Sequence, residues 1–203
     1  MIQYSNKEKK LKNYKFIDLF CGIGGFHLAL SSLGAECVFA SDIDKEACKV
    51  YESNFGLKPY GDITQISEDE IPPHDILCAG FPCQPFSISG KQHGFEDTRG
   101  TLFFDIARIA KAKQPKILFL ENVYQLEAHD SGKTFSVITN TLDSIGYDVY
   151  YKIMNSADYG FPQSRKRIYI VCFRKDMGIT SFEFPFPSDD VKHKYVKDII
   201  CKK

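Results

Sequence analysis

The feature that most constrains this chain is a regular alternation of short β-rich runs with amphipathic stretches of helical period. Phe16-Ile-Asp-Leu-Phe20 reads as a buried strand that runs into a glycine turn. Phe26, Ala29, Leu30 and Leu33 then recur at helical spacing, and Gly34 ends that helix. Residues 37–40 read as a second strand, 45–55 as a helix, the neighbourhood of 62–63 as a third short strand and 75–79 as a fourth. A long loop covers 81–100. Leu102, Phe103, Ile106 and Ile109 mark the next helix, 116–120 a fifth strand, and Phe135, Ile138, Leu142 and Ile145 another helix before Gly146. Two further strands fall near 149–153 and 167–173, which makes seven. Strands separated by helices of this length imply βαβ units, hence an α/β fold with a mostly parallel sheet covered on both faces. Only a loop, 154–166, joins the last two strands; it is too short for a parallel crossover, so the last strand is expected to run antiparallel.

The length, 203 residues, suits one domain with a full core. After Asp176 the chain turns rich in Pro, Lys and Asp without periodicity, so the expected organisation is a domain over 1–176 followed by a linker over 177–203. No apolar run approaches the ~20 residues that cross a bilayer, and the basic N-terminus lacks the apolar stretch of a signal peptide. The seven cysteines form no Cys-x-x-Cys pair, which argues against a disulfide framework or structural zinc and for a reducing, cytoplasmic setting. Basic and acidic residues balance at 26 each, so composition gives no support for a nucleic-acid partner.

Chemistry concentrates where strands are expected to end. The first strand enters Asp18-Leu-Phe-Cys-Gly22-Ile-Gly24-Gly25-Phe26-His27, whose glycines let the backbone turn sharply against a ligand at a helix N-terminus. A dinucleotide fingerprint needs glycine where His27 stands, which weakens the nicotinamide reading without removing it. Asp42 follows Gly22 by 20 positions, at the end of strand two, where an acid can accept both ribose hydroxyls of a nucleoside. Asp62 is a further acid suited to an adenine amino group, with Phe20, Ile43 and Ile63 available to sandwich the ring. Together these point to a nucleoside cofactor, leaning away from a pyrophosphate.

Strand four exits as Gly80-Phe-Pro-Cys83-Gln-Pro-Phe-Ser87. Prolines on either side of Cys83 fix a thiol at the ligand rim, whereas Cys37, Cys78 and Cys172 lie within strands and read as inert core, and Cys21 reads as packing. A reactive thiol needs a cationic setting, which Arg165, Lys166 and Arg167 supply if the sheet brings them near. Strand five ends in Glu121-Asn122-Val123, an acid suited to hydrogen-bonding a substrate ring. A zinc deaminase is excluded: no His-x-Glu occurs, and Cys83 is followed by Gln-Pro-Phe rather than x-x-Cys.

In this order, Phe16-Ile-Asp-Leu-Phe-Cys-Gly-Ile-Gly-Gly25, Asp42, Gly61-Asp62-Ile63, Gly80-Phe-Pro-Cys83-Gln, Glu121-Asn122-Val123 and Gln163-Ser-Arg165-Lys-Arg167 resemble the bacterial DNA cytosine-5 methyltransferases, those of the HhaI type most. The resemblance implies a Rossmann-like class I S-adenosylmethionine-dependent methyltransferase fold, with Phe20, Gly22, Ile23, Gly24, Gly25, Asp42, Ile43, Asp62, Ile63, Pro82 and Leu102 around the cofactor. It implies methyl transfer from S-adenosylmethionine to carbon 5 of a cytosine flipped out of double-stranded DNA, as the modification enzyme of a restriction–modification system. Cys83 would attack carbon 6, Glu121 would bind ring nitrogen 3, Arg167 would contact the carbonyl oxygen, Arg165 would support the pocket, and Asn122 belongs to the Glu121 motif. No metal is needed. Residues 84–100, with Ser87, Lys91 and Arg99, correspond to a lid.

Family members continue into a target-recognition region and a final motif that completes the cofactor pocket, whereas this chain stops at Lys203. The expectation is a catalytic part that is truncated, or one subunit of a split enzyme whose partner carries recognition. The rival readings are a tRNA cytosine-5 methyltransferase, a nicotinamide-dependent oxidoreductase and an inactive remnant. A competition titration separates the two cofactors: S-adenosylmethionine is expected to bind and an excess of NADH to leave it in place, and displacement by NADH would overturn the assignment.

Overall fold

The computed structural model describes residues 10–82, 102–187 and 195–199. Among them, six strands form one sheet: β1 (Lys15–Leu19), β2 (Glu36–Ser41), β3 (Ile76–Gly80), β4 (Ile117–Val123), β5 (Tyr147–Asn155) and β6 (Lys166–Arg174). Their order is β2-β1-β3-β4-β6-β5. The pairs β1–β2, β1–β3 and β3–β4 are parallel, and β6 runs antiparallel to both of its neighbours, as the short 154–166 connection requires. The helices are α1 (Gly25–Ser32), α2 (Lys45–Phe55), α3 (Leu102–Lys113), α4 (Lys133–Ser144) and the short α5 (Val196–Ile199).

The two-residue period of the strands divides the core. Ile17, Leu19, Leu77, Ala79, Leu118, Leu120, Ile168 and Ile170 face α3 and α4, meeting Phe103, Ile106, Ile109, Phe135, Ile138 and Leu142. Phe16, Ile76 and Cys78 face the other way and pack against Leu30 and Phe26 of α1, with Phe119 beside them. Helix α2 spans the residues its periodicity implied because both ends carry stop signals. The Asp44 carboxylate accepts from the Glu46 and Ala47 amides, and Gly56 closes the helix at φ +70°.

Two expectations fail. The third strand is not a strand: Tyr60 makes a single parallel bridge to Ser41, and Ile63–Gln65 is a 3-10 turn. The Asp62 side chain accepts from the Thr64 amide, a local bond that draws the backbone into a turn instead of a ladder. The sheet therefore has six described strands rather than seven. In α1 the buried residues are His27 and Leu30, while Ala29 and Leu33 are exposed, so the inward face is rotated from the expected stripe. Helix α1 is anchored at its start by His27 beneath the turn, and its far side borders an open cavity. The long loop after Phe81 lies outside the described residues from 83 to 101.

Ile106 is fully buried between α3 and the sheet. Ile106→Ala is expected to cost about 2–5 kcal/mol through lost transfer energy and the cavity left behind. Urea unfolding with an unchanged m-value checks this, and a loss below about 1 kcal/mol would show that α3 is not a fixed part of the core.

Candidate active site

The carboxyl ends of β1 to β4 and the start of β6 meet at one rim, and strand register decides which side chains converge there. Gly80 pairs with Glu121, and Glu121 stands opposite Tyr169. Arg167 lies two residues from Tyr169 on the same face, which makes it the diagonal cross-strand neighbour of Glu121. Arg167 Nε lies 2.9 Å from Glu121 Oε1, and Arg165 Nη2 is 4.0 Å from the same oxygen. The Glu121 side chain is 22% exposed, so the carboxylate is held by cations yet open to a ligand. Gly80 lies directly beside the carboxylate: a Cβ there would make ordinary contact with Glu121 Oε2 at 3.6 Å.

Asn122 points the other way. It is buried, donates from Nδ2 to the Phe81 carbonyl at 2.9 Å and accepts from the Val123 amide at 2.8 Å. It therefore ties the exit of β4 to the exit of β3 beside the exposed Pro82, a positioning contact rather than a surface facing the cleft. Cys83, the next residue, lies outside the described residues, as do Ser87, Lys91 and Arg99.

The turn after β1 is conformationally demanding. Phe20, Gly22 and Gly24 all have positive φ, at 54°, 52° and 93°. A Cβ on Gly24 would sit 2.1 Å from Phe55 Cε2, so helix α2 seals the turn from behind. Phe20 adopts this conformation with a large side chain, a strain of order 1–3 kcal/mol that the surrounding packing must offset. Asp42 locks the turn to β2: Oδ2 accepts from the Gly22 amide at 2.7 Å and Oδ1 from the Asp44 amide at 2.8 Å. A carboxylate has about four acceptor positions, so two remain for hydroxyl groups. Ile23 and Ile43 are exposed, Asp62 is half-buried, and Ile63 is buried within the main core. Ile63 thus offers the rim its backbone and not a ring-stacking side chain. Leu102 is half-buried at the start of α3.

A cavity of about 720 Å³ joins the turn to the acid, with Phe20, Cys21, Gly25, Gly80, Glu121 and Arg165 in its wall. That volume suits a ligand of nucleoside size or larger. Asp42, Ile43, Asp62 and Ile63 are not in this wall.

One feature under the turn escaped the sequence reading. Asp18 is buried in β1, and neither of its carboxylate oxygens has a hydrogen-bond partner among the described residues. Burial pushes its carboxyl well above the ordinary carboxylate range, and the charge on Asp42 adds to the rise. His27 Nδ1 and Tyr51 Oη lie 2.7 Å apart, and His27 stacks on Phe55 at 3.9 Å. Burial also pushes up the thiols of Cys21, Cys78 and Cys172, and of Cys37 to about 11, so all four stay protonated and unreactive near neutral pH. The signal was present: a charged residue midway through an apolar parallel strand.

Fold and rim together define an α/β domain with an acid held by two arginines beside the turn after β1. The profile of the C-5 cytosine-specific DNA methylase family matches residues 14–203, and the chain belongs to that family. It is 57% identical over 194 residues to the type II methyltransferase M.HhaI of Haemophilus parahaemolyticus, covering 96% of this chain and 59% of that protein. It is 58% identical over 174 residues to M.NgoBI of Neisseria gonorrhoeae, covering 86% of this chain and 54% of that protein. The chain thus spans less than two thirds of the relatives it matches. The crystal structure of the S. pombe Dnmt2 methyltransferase superposes with a TM-score of 0.66 at 25% identity, over 88% of this chain and 58% of that one. No helix among the described residues is long and apolar enough to cross a membrane.

Asp18 yields a pH signature. The unfolded chain releases this proton near 3.8 and the folded chain at a higher pH, so its contribution to stability is complete below 3.8 and is lost as pH rises through the folded value. The stability of the native chain minus that of Asp18→Asn is therefore expected to fall as pH rises above about 4, by up to ~1.4 kcal/mol per unit. Urea midpoints across that range test this, and a flat difference would place the ionised carboxylate in the folded state.

Proposed function

We propose that this chain is the catalytic part of an enzyme that methylates carbon 5 of cytosine in double-stranded DNA, acting as the modification partner of a restriction enzyme. The observation that carries the proposal is the rim cluster: Glu121 bonded to Arg167, with Arg165 close by, in one cavity with the Phe20–Gly25 turn. A carboxyl and a guanidinium side by side match the nitrogen 3 and carbonyl oxygen 2 edge of a cytosine. Arg167 supplies donors to the oxygen, and Glu121 binds and protonates the nitrogen as charge develops on the ring. Such an edge is accessible only when the base has left the stack.

Residues 1–176 form the catalytic domain in this reading, and 177–203 begin the link to a target-recognition region carried elsewhere, on a longer chain or on a second subunit. Cys83, which follows Pro82, is the nucleophile. Its thiolate adds to carbon 6, carbon 5 becomes nucleophilic and takes the methyl group, and loss of the carbon 5 proton expels the thiolate. Asn122 holds the Phe81 carbonyl and so sets the direction in which the chain leaves β3 for Cys83.

The residues present fit S-adenosylmethionine. Asp42, fixed by two backbone amides, retains acceptor capacity for both ribose hydroxyls, and Gly25 leaves the backbone bare toward the cavity. In this reading Asp62 accepts from the adenine amino group. When bound, the cofactor supplies an electrophilic methyl on a sulfonium. The chain's own residues hold its nucleoside, and Phe20 and Phe26 give the cavity an apolar wall.

The test is a chimera of residues 1–203 followed by the C-terminal part of M.HhaI, assayed by tritiated methyl transfer to duplex DNA and to tRNA. Incorporation is expected in DNA and not in tRNA. Cys83→Ser is expected to lower it by at least about a thousandfold, because a hydroxyl is a far weaker nucleophile than a thiolate. Cys21→Ser should retain activity within about fivefold, its thiol being buried and protonated. Equal losses in the two variants would remove Cys83 from the nucleophile's role, and transfer to tRNA alone would overturn the DNA substrate.

A further inference from the structure

Helix α3 carries a guanidinium that the rim chemistry does not use. Arg108, 27% exposed at its side chain, donates to three acceptors on three elements. Nε bonds Asp105 Oδ1 of α3 itself at 2.9 Å, Nη1 bonds Glu68 Oε1 of the 3-10 turn Glu68–Glu70 at 2.9 Å, and Nη2 bonds the Ile63 carbonyl at 2.7 Å. A planar fork can hold three directions at once, which a lysine ammonium on a flexible stem cannot.

The bond to Ile63 matters because of what the neighbouring chain lacks. Tyr60 is the last residue there tied to β2, through its amide on the Ala40 carbonyl and its own carbonyl on the Asp42 amide. Beyond it, the Thr64, Gln65 and Ile66 amides bond only within the turn. Among the described residues, the backbone of 61–66 has one hydrogen bond to another element, and Arg108 donates it. No sheet ladder holds Asp62 in place, since the segment is a turn.

We propose that Arg108 is a positioning residue for the nucleoside end of the cofactor, bracing the Asp62–Ile63 turn against α3, whose first residue, Leu102, belongs to the same subsite. The inference rests on the cofactor assignment above and adds to it the group that sets the spacing of that subsite's walls. Arg108 acts through Asp62 and Ile63, from behind the turn. Its loss lets the turn drift relative to Leu102, and affinity for the nucleoside falls while the rim acid and its arginines keep their geometry.

The 203-residue chain, titrated calorimetrically with S-adenosylhomocysteine, provides the test. Arg108→Met keeps the apolar stem and removes all three bonds; it is expected to weaken binding about 10- to 100-fold, as for other groups that orient a ligand's direct contacts, with Arg108→Lys in between. In an Asp62→Ala background the same substitution is expected to cost less than about threefold, because the two changes act on one element. Hydrogen exchange of the 64–66 amides should accelerate while the Cys21 and Gly24 amides keep their protection. Binding by Arg108→Met within twofold of the native chain would overturn the proposal, as would an undiminished loss in the Asp62→Ala background or acceleration spread through the whole fold. If the 203-residue chain alone binds too weakly to titrate, the same variants are measured in the chimera with the C-terminal part of M.HhaI. Failure of the unsubstituted chimera to bind S-adenosylhomocysteine would overturn the cofactor assignment, and the brace with it.

Discussion

Arg167 meets Glu121 because β6 runs against β4. In a wholly parallel sheet the start of the next strand would lie at the opposite edge of the molecule, far from the carboxyl ends where ligands bind. The reversed strand returns its beginning to that edge, and antiparallel register puts Arg167 on the diagonal from Glu121 at 2.9 Å. The loop that makes the reversal, after Asn155, also delivers Arg165, whose amide bonds Asn155 Oδ1 at 2.9 Å. One topological choice therefore places both cations against the acid. The isolated ion pair is worth little as a contribution to stability, since each group is partly solvated. Its value lies in holding a carboxylate and a guanidinium in one plane of approach.

The other half of the site is a strained turn held from three sides. Phe20 at positive φ is disfavoured, yet β2 pins the turn through Asp42, α2 closes it with Phe55 behind Gly24, and β1 anchors its start within the core. Beneath lies a polar cluster of Asp18, His27 and Tyr51 in a region with no water access. A carboxyl buried this deeply is costly to ionise, which pushes its pKa well above the ordinary carboxylate range. The turn is thus preorganised at the expense of local stability, a common balance at ligand sites.

Much of this was legible in the residues. The helix read over 45–55 is α2, and the reversed last strand followed from the length of the 154–166 connection. Glu121 at the carboxyl end of its strand was legible too, while the nearness of Arg165 and Arg167 was conditional on how the sheet paired. Three readings did not survive contact with the tertiary structure. The Asp62 region became a turn, because one side-chain acceptor outcompeted ladder pairing. Asn122 turned inward to the Phe81 carbonyl, since alternate residues of a strand face opposite sides. Ile63 went into the core instead of toward a ring.

By itself the sequence determined the alternation of strands and helices, the parallel sheet with its reversed end, and the set of chemically capable side chains at strand termini. Those depend on hydrophobic period, capping residues and connection length, which are local and readable along the chain. Tertiary structure alone decided which of these side chains share a space: the diagonal of Arg167 to Glu121, the place of Gly80 beside that acid, the isolation of Asp18 and the reach of Arg108 to Ile63. Each is a contact across 40 or more positions of sequence or a consequence of strand register, and no periodicity encodes the distance between two atoms on different elements.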